Sequence, residues 1–269
     1  MKRNDEILTG IYHNGQEKIW DGRAVLAELV HEHGGALKID TDIKHSIARI
    51  FTMILKGEEA AWKISLQLAS MLDNIPARVA ATSQAHDEAR HFYVMRDYLD
   101  LCKCDDVRLP PSIDDALSMI KRTNDLAKKL LGMQLMVEPV ALTIFQEIKR
   151  ARIEPVLTDL LAYYERDEAR HVALGVHYLP VVMKSLSTIS LASLVTWQYR
   201  LFMYELQGLK DLRNDFETVG LSVEKLFSLA EKKQLDVLGK VSCELGWSPV
   251  IWKSLQDVLR YQKKRILGG

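Results

Sequence analysis

The pentapeptide Asp87-Glu88-Ala89-Arg90-His91 recurs eighty residues later as Asp167-Glu168-Ala169-Arg170-His171. Each copy has a glutamate thirty residues upstream, Glu58 for the first and Glu138 for the second. Four carboxylates and two imidazoles in a doubled pattern are groups that hold metal ions or move protons. One Glu-x-x-His is most often an exposed helical face. Two identical pentapeptides with the same upstream spacing argue against that reading.

Helix geometry converts the spacing into a site. Glu88 and His91 are three residues apart and share a face, as do Glu168 and His171. From Glu58 to a turn near Asp73, and from that turn back to Glu88, both legs are roughly 20 Å at about 1.5 Å per residue. The two glutamates therefore lie at one depth in a hairpin, and Glu138 and Glu168 do the same about a turn near Ile153. Two hairpins related by a pseudo-twofold axis bring the six side chains to one point. Four buried carboxylates cannot stay ionised together without compensation. Two divalent cations supply it, and mixed oxygen and nitrogen ligation suits iron or manganese better than a thiolate-type zinc site. A Glu from each of two helices and a Glu-x-x-His from each of two others is the pattern of ferritin-like di-iron bundles. Glu58, Glu88, Glu138 and Glu168 are the expected catalytic carboxylates, and His91 and His171 complete the metal ligands.

Around these six, further roles follow from position. Asp87 and Asp167 are each expected to accept the free ring N–H of the opposite half's histidine, Asp87 from His171 and Asp167 from His91. Arg90 and Arg170 would keep both aspartates charged and anchored. Tyr164, four residues before Glu168, points at the same stripe. A hydrogen bond to the metal shell, an oxidisable role and an ordinary core tyrosine all fit it. Glu59 competes with Glu58 as first ligand, but the thirty-residue symmetry and the face shared with Trp62 favour Glu58. Gln84 and Gln134 are candidates to line a polar access path, and Glu165 is a candidate extra carboxylate or a solvated neighbour. Pro139, directly after Glu138, should kink or bulge its helix beside the metals. Phe92, Met95, Leu142, Phe145, Val172 and Gly175 fit a substrate-pocket wall and an ordinary bundle core equally.

The elements that position these groups read as all-α, with no convincing strand alternation. Breakers place helices at about 17–33, from Asp42 to Asp73-Asn74, and from Pro76 to Cys104. Ser112 is the expected N-cap of one unusually long helix reaching Arg152, and another runs from Pro155 to Pro180. Two to four shorter helices follow, with Pro249 opening the last. The expectation is one domain over 1–269: a four-helix bundle at about 42–180, with extra N-terminal helices and C-terminal accessory helices over 181–269.

Composition narrows the rest. The 269 residues are 48% hydrophobic and 27% charged, with 36 basic and 36 acidic side chains. That balance excludes wholesale disorder and speaks against a nucleic-acid partner. Three cysteines, Cys102, Cys104 and Cys243, are too few for a disulfide framework. The polar start and the charged residues within Ile189–Leu206 argue against a signal peptide and a membrane span, so a soluble, cytoplasmic protein is expected. His31, His33, His45 and His86 form no metal-spaced pair, and Lys232-Lys233 and Lys263-Lys264-Arg265 read as solvated faces.

Over about Asp42 to Pro180 the chain resembles the ferritin-like di-iron carboxylate superfamily. Its Asp-Glu-x-Arg-His form is similar to bacterial multicomponent monooxygenase hydroxylases and to the ribonucleotide reductase small subunit. The resemblance implies a di-iron oxidoreductase, an oxidase or monooxygenase, in which two Fe, or Mn and Fe, activate O2 to oxidise a small organic substrate. It also implies an external electron donor, a reductase or ferredoxin, and a homodimer. Met95 stands where the reductase subunit has its radical tyrosine, and Leu142 where the monooxygenases have a threonine, with Thr143 beside it. His177, six residues past His171, does not match the third histidine of arylamine N-oxygenases. The alternatives are a ferroxidase, a peroxide-scavenging ferritin or rubrerythrin relative, and a metal-bearing scaffold subunit.

Overall fold

The computed structural model describes residues 2–103 and 107–246. Cys104, Pro249 and Lys263-Lys264-Arg265 lie outside them. Among the described residues every regular element is helical.

The first helical hairpin follows its breakers closely. Helix α3, Thr41–Met71, starts on an Asp40 cap and buries Ile47, Ile50, Phe51, Ile54, Glu58, Ala61, Ile64 and Leu68, a helical stripe of three- and four-residue steps. Leu72 turns extended, and the Asn74 side chain accepts from the Ala77 N–H at 2.9 Å to open α4, Ile75–Cys102. Pro76 sits in the first turn of α4, where its missing N–H costs nothing.

The second hairpin is less regular than expected. The long helix to Arg152 is divided into α5, Pro111–Arg122, α6, Leu126–Leu130, a π-helical segment, Leu131–Val137, and α7, Glu138–Ala151. The break falls at Thr123, with Asp125 capping α6 through the Lys128 N–H. Ser112 is not the N-cap of α5: Pro110 occupies that position, and the Ser112 hydroxyl donates to Asp211 instead. The π segment has a clear cause. Pro139 has no N–H for the Leu135 carbonyl and its ring would press on that carbonyl, so the turn before it widens. Helix α8, Pro155–Met183, follows a Glu154 cap and runs three residues past Pro180.

The helix expected at 17–33 is the shorter α2, Gly22–Glu32, and it is preceded by a helix the expected boundaries leave out, α1, Lys2–Glu17; both pack on α4 and α8. The polar start conceals an apolar stripe in which Leu8 is fully buried, and Asp21 restarts the chain as the cap of α2. Beyond α8, α9 (Thr188–Asp211) packs on α5 and the π segment. The short α10 (Arg213–Thr218) lies on α3, and α11 (Val223–Leu245) covers α7 and α8. None of the described helices is long and apolar enough to cross a membrane.

One buried cation stabilises the irregular hairpin. Lys129, 1% exposed, donates to the carbonyls of Ile120 and Lys121 at 3.1 and 3.3 Å and to Gln67 at 2.6 Å. It thereby satisfies the open carbonyls at the C-terminus of α5. The π segment in turn packs closely on α8: a Cβ at Gly175 would come within 2.5 Å of the Gln134 Cβ. Gly175→Ala is expected to destabilise the fold by about 1–3 kcal/mol through overpacking. A melting temperature unchanged from the wild type would show that this contact yields freely.

Candidate metal centre

Four helical segments deliver the six side chains: α3 carries Glu58, α4 carries Glu88 and His91, α7 opens on Glu138, and α8 carries Glu168 and His171. None is more than 5% exposed. They form two overlapping groups, Glu58, Glu88, His91 and Glu168 in one and Glu88, Glu138, Glu168 and His171 in the other. The ligand atoms of each group lie within 4.8 Å of one another. Glu88 and Glu168 belong to both groups.

The imidazoles face two ways. His91 Nδ1 looks toward Glu58, Glu88 and Glu168 at 3.4, 3.5 and 3.2 Å, yet it makes no hydrogen bond, and neither does Glu88 Oε2. His171 Nδ1 lies 3.0 Å from Glu88 and 2.9 Å from Glu168. The Nε2 atoms turn outward, His91 to Asp167 at 3.3 Å and His171 to Asp87 at 3.4 Å. Each aspartate thus serves the histidine of the other repeat. An Nε2–H donated to aspartate leaves the Nδ1 lone pair free for the centre. Arg90 donates to Asp87 and Asp167 at 2.5 and 2.8 Å, and Arg170 lies 2.9 Å from each.

Burial opposes charge at both aspartates, but their partners outweigh it. The hydrogen bond and charge of His171 bring Asp87 down to about 2. His91, Trp20 and Arg170 hold Asp167 well below the carboxylate range. Within the centre, burial drives Glu58 and Glu138 well above that range. Against the same burial, Glu88 stays low beside His171 and His91, and Glu168 stays low beside Glu138 and His171. Both histidines are pushed up by the acids around them despite burial. Left to itself, the cluster balances its charge with protons. A pair of cations would replace those protons, and the mixed carboxylate and imidazole donors, with ligand atoms that satisfy nothing else, fit such a pair.

The neighbours of the centre sort themselves by geometry. Glu59 faces outward and pairs with Lys63 at 2.5 Å and Lys56 at 3.5 Å, so of the two adjacent acids it is Glu58 that reaches the cluster. Tyr164 stacks on His91 with ring centroids 4.2 Å apart, and its hydroxyl donates to the His91 carbonyl at 2.7 Å. Gln84 donates to Glu88 and Glu138 at 3.1 and 3.2 Å and accepts from Gln134 at 3.1 Å. Glu165 pairs with Lys149 at 3.1 Å, away from the donors. Thr143 spends its hydroxyl on the Pro139 carbonyl at 2.8 Å.

Glu58, Glu138 and Glu168 also border an apolar cavity of about 120 Å³. Its walls include Met53, Ile54, Met133 and Ile144, closed by Leu117 from α5 and Leu209 from α9. Phe92, Met95, Leu142, Phe145, Val172 and Gly175 do not line it; Met95 and Phe145 are fully buried in the core. Spacing from the ligands treats all four helices alike, whereas the cavity opens between α3 and the segment around Glu138. Two residues escaped the sequence reading. Trp20, in the link between α1 and α2, donates its indole N–H to Asp167 at 2.7 Å, and nothing in its sequence neighbourhood signals this. Glu205, in α9, lines the cavity; its signal was an acid inside an otherwise apolar stretch.

Neither a protein-family profile nor a curated protein matches the chain. Solved structures do. A protein with aldehyde deformylating oxidase activity from Synechococcus superposes with a TM-score of 0.67 at 17% identity, covering 81% of this chain and 97% of its own. The fold is ferritin-like. A variant R2-like ligand-binding oxidase with an aerobically reconstituted Fe/Fe cofactor gives a TM-score of 0.69 at 14% identity, over 87% of this chain and 92% of its own. Another variant, with a Mn/Fe cofactor, gives 0.67 at 15% identity over the same shares.

The crossed braces set an expectation for metal affinity. Asp87→Ala frees the His171 ring and should weaken metal retention by on the order of 10–100-fold in a chelator competition read by elemental analysis. Retention at the wild-type level would remove Asp87 from this role.

Proposed function

We propose that this chain is a non-haem di-metal oxidoreductase, with two Fe or a Mn/Fe pair, that uses O2 to oxidise a small organic substrate. The observation that carries this reading is the pair of donor groups sharing Glu88 and Glu168 and bordering an apolar cavity. The Fe/Fe and Mn/Fe cofactors of the structural neighbours support the choice of metals.

On this reading Glu58, Glu88, His91 and Glu168 hold one ion, and Glu88, Glu138, Glu168 and His171 hold the other. Bound there, a redox-active metal pair supplies the electron chemistry by which O2 is reduced. The protein's own part is preorganisation. Asp87 and Asp167 fix the imidazole tautomers, and Arg90 and Arg170 keep both aspartates ionised. Gln84 holds Glu88 and Glu138 in place by its amide. The apolar walls keep water from the reacting substrate and confine it beside Glu58 and Glu138. Electrons for repeated turnover come from a separate reductase or ferredoxin, and the working assembly is a homodimer.

The cavity favours an oxidase or monooxygenase over a ferroxidase, because iron ions travel along polar routes and this lining is apolar. Protein loaded anaerobically with two Fe(II) and mixed with O2 should show a transient visible absorbance and O2 uptake. Glu138→Ala should slow both at least about tenfold, as loss of a ligand does. Spectral silence with two irons bound would sink the proposal, and a native mass of a twenty-four-subunit shell would turn it toward iron storage.

A further inference from the structure

The cavity beside the metal centre carries one carboxyl group that the centre does not use. Glu205 lines the same space as Glu58, Glu138 and Glu168 but belongs to neither donor group. Its Oε2 accepts from the Gln234 amide at 2.9 Å. Gln234, on α11, spends its other N–H on the Met136 carbonyl of the π segment at 3.0 Å. Glu205 is therefore held through one oxygen by an amide that is itself anchored to the π segment. Its other oxygen, Oε1, is shielded from solvent and meets no hydrogen-bond partner among the described residues.

A shielded polar atom with no partner is destabilising. An apolar residue at this place would cost nothing of the kind, since most of the surrounding wall is apolar. Burial, opposed only by the Gln234 bond, pushes Glu205 up to about 8, so at neutral pH it is a neutral acid. A neutral carboxyl offers one O–H to donate and one oxygen to accept. That suits a neutral hydroxyl or carbonyl, not a charged group. The volume sets the size of the molecule: a cavity of about 120 Å³ is a little smaller than the roughly 150 Å³ that accommodates benzene.

We infer that Glu205 positions the substrate, hydrogen-bonding the single neutral hydroxyl or carbonyl of a small, otherwise apolar molecule whose hydrocarbon body lies in the cavity beside Glu58 and Glu138. The inference rests on the oxidoreductase reading of the neighbouring centre and names the class of molecule it acts on. Tyr204 also lines the cavity, but among the described residues its hydroxyl has no neighbour comparable to Gln234. The specificity thus belongs to Glu205, with Gln234 as the residue that positions it.

The test uses four probes built on one ring: cyclopentanol, methylcyclopentane, cyclopentylammonium and the slightly larger cyclopentanecarboxylate. Their binding to anaerobic Fe(II)-loaded protein is measured by calorimetry. The wild type should prefer the alcohol to the hydrocarbon by about tenfold, the worth of one hydrogen bond. Glu205→Leu should abolish that preference while binding the hydrocarbon at least as well, and Glu205→Gln, which can still donate and accept, should keep part of it. Gln234→Met leaves the acid in place without its brace and should reduce the preference, which guards against a leucine variant that does not fold. A preference unchanged in Glu205→Leu, tightest binding of either charged probe, or no binding of any probe overturns the inference. Iron stoichiometry is read in the same samples. Two irons without alcohol preference removes only the role of Glu205, and alcohol preference without iron upholds Glu205 and removes the metal reading.

Discussion

Charge neutralisation in a dry interior is the constraint on which the rest depends. Glu58, Glu88, Glu138 and Glu168 are all nearly inaccessible to water, and a helical bundle has no backbone groups to spare for them. The cluster is stable only when positive charge enters it, as protons on the imidazoles and two carboxyls or as metal ions. The crossed aspartates extend this logic outward by one layer. Asp87 and Asp167 remain anionic because Arg90 and Arg170 flank both, so each histidine is oriented by the repeat it does not belong to. A brace of this kind ties the two hairpins together at their centre, and a shift of either hairpin would break bonds in both.

The cavity follows from the same repeat. Met53 and Met133, Gly57 and Val137, Glu58 and Glu138, and Ala61 and Ala141 all line it, and each pair is separated by eighty residues. The space therefore straddles the pseudo-twofold relation, between the first helix of each hairpin. Helices α4 and α8 supply the histidines and the aspartate layer on the other side. The π segment widens the backbone just before Glu138, and α5, α9 and α11 close what the four-helix core leaves open. The accessory helices are thus part of the site, since Glu205 and Gln234 come from two of them.

What the sequence revealed, and what it did not, divides along one physical line. Groups fixed by helical period and by the repeat were legible: the convergence of the six side chains, the crossed aspartates and arginines, and the direction of each hairpin. The distortion at Pro139 was legible because a proline ring has a local steric effect. The caps at Asp21 and Asp125 lie inside smoother patterns, which started α2 too early and merged α5 with α7, while α1 was hidden by its polar start. Trp20 and the cavity wall depend on how distant helices pack, and no spacing along the chain encodes that. Ligand-centred spacing left Met95, Phe145 and Gly175 equally fit for wall and core because it carries no information about which side of the centre stays open.

The repeat also shows where identity between the halves stops. The eighty-residue relation is exact for Asp87 to His91 and Asp167 to His171, and it fails one turn away. Gln84 corresponds to Tyr164, Ile54 to Gln134 and Met95 to Gly175. The exchanges are coupled. Gln84 and Gln134 hydrogen-bond each other and the Glu88–Glu138 side, and Gly175 is small because Gln134 occupies the space that a Cβ would need. On the other side Tyr164 stacks on His91, and Ile54 faces the cavity. One flank is therefore polar and hydrogen-bonded to the centre, while the other is apolar and borders the cavity. Charge balance holds the inner layer to a single arrangement in both halves. The layer outside it carries no such constraint, so there two copies of one hairpin separate into a polar support and a cavity wall.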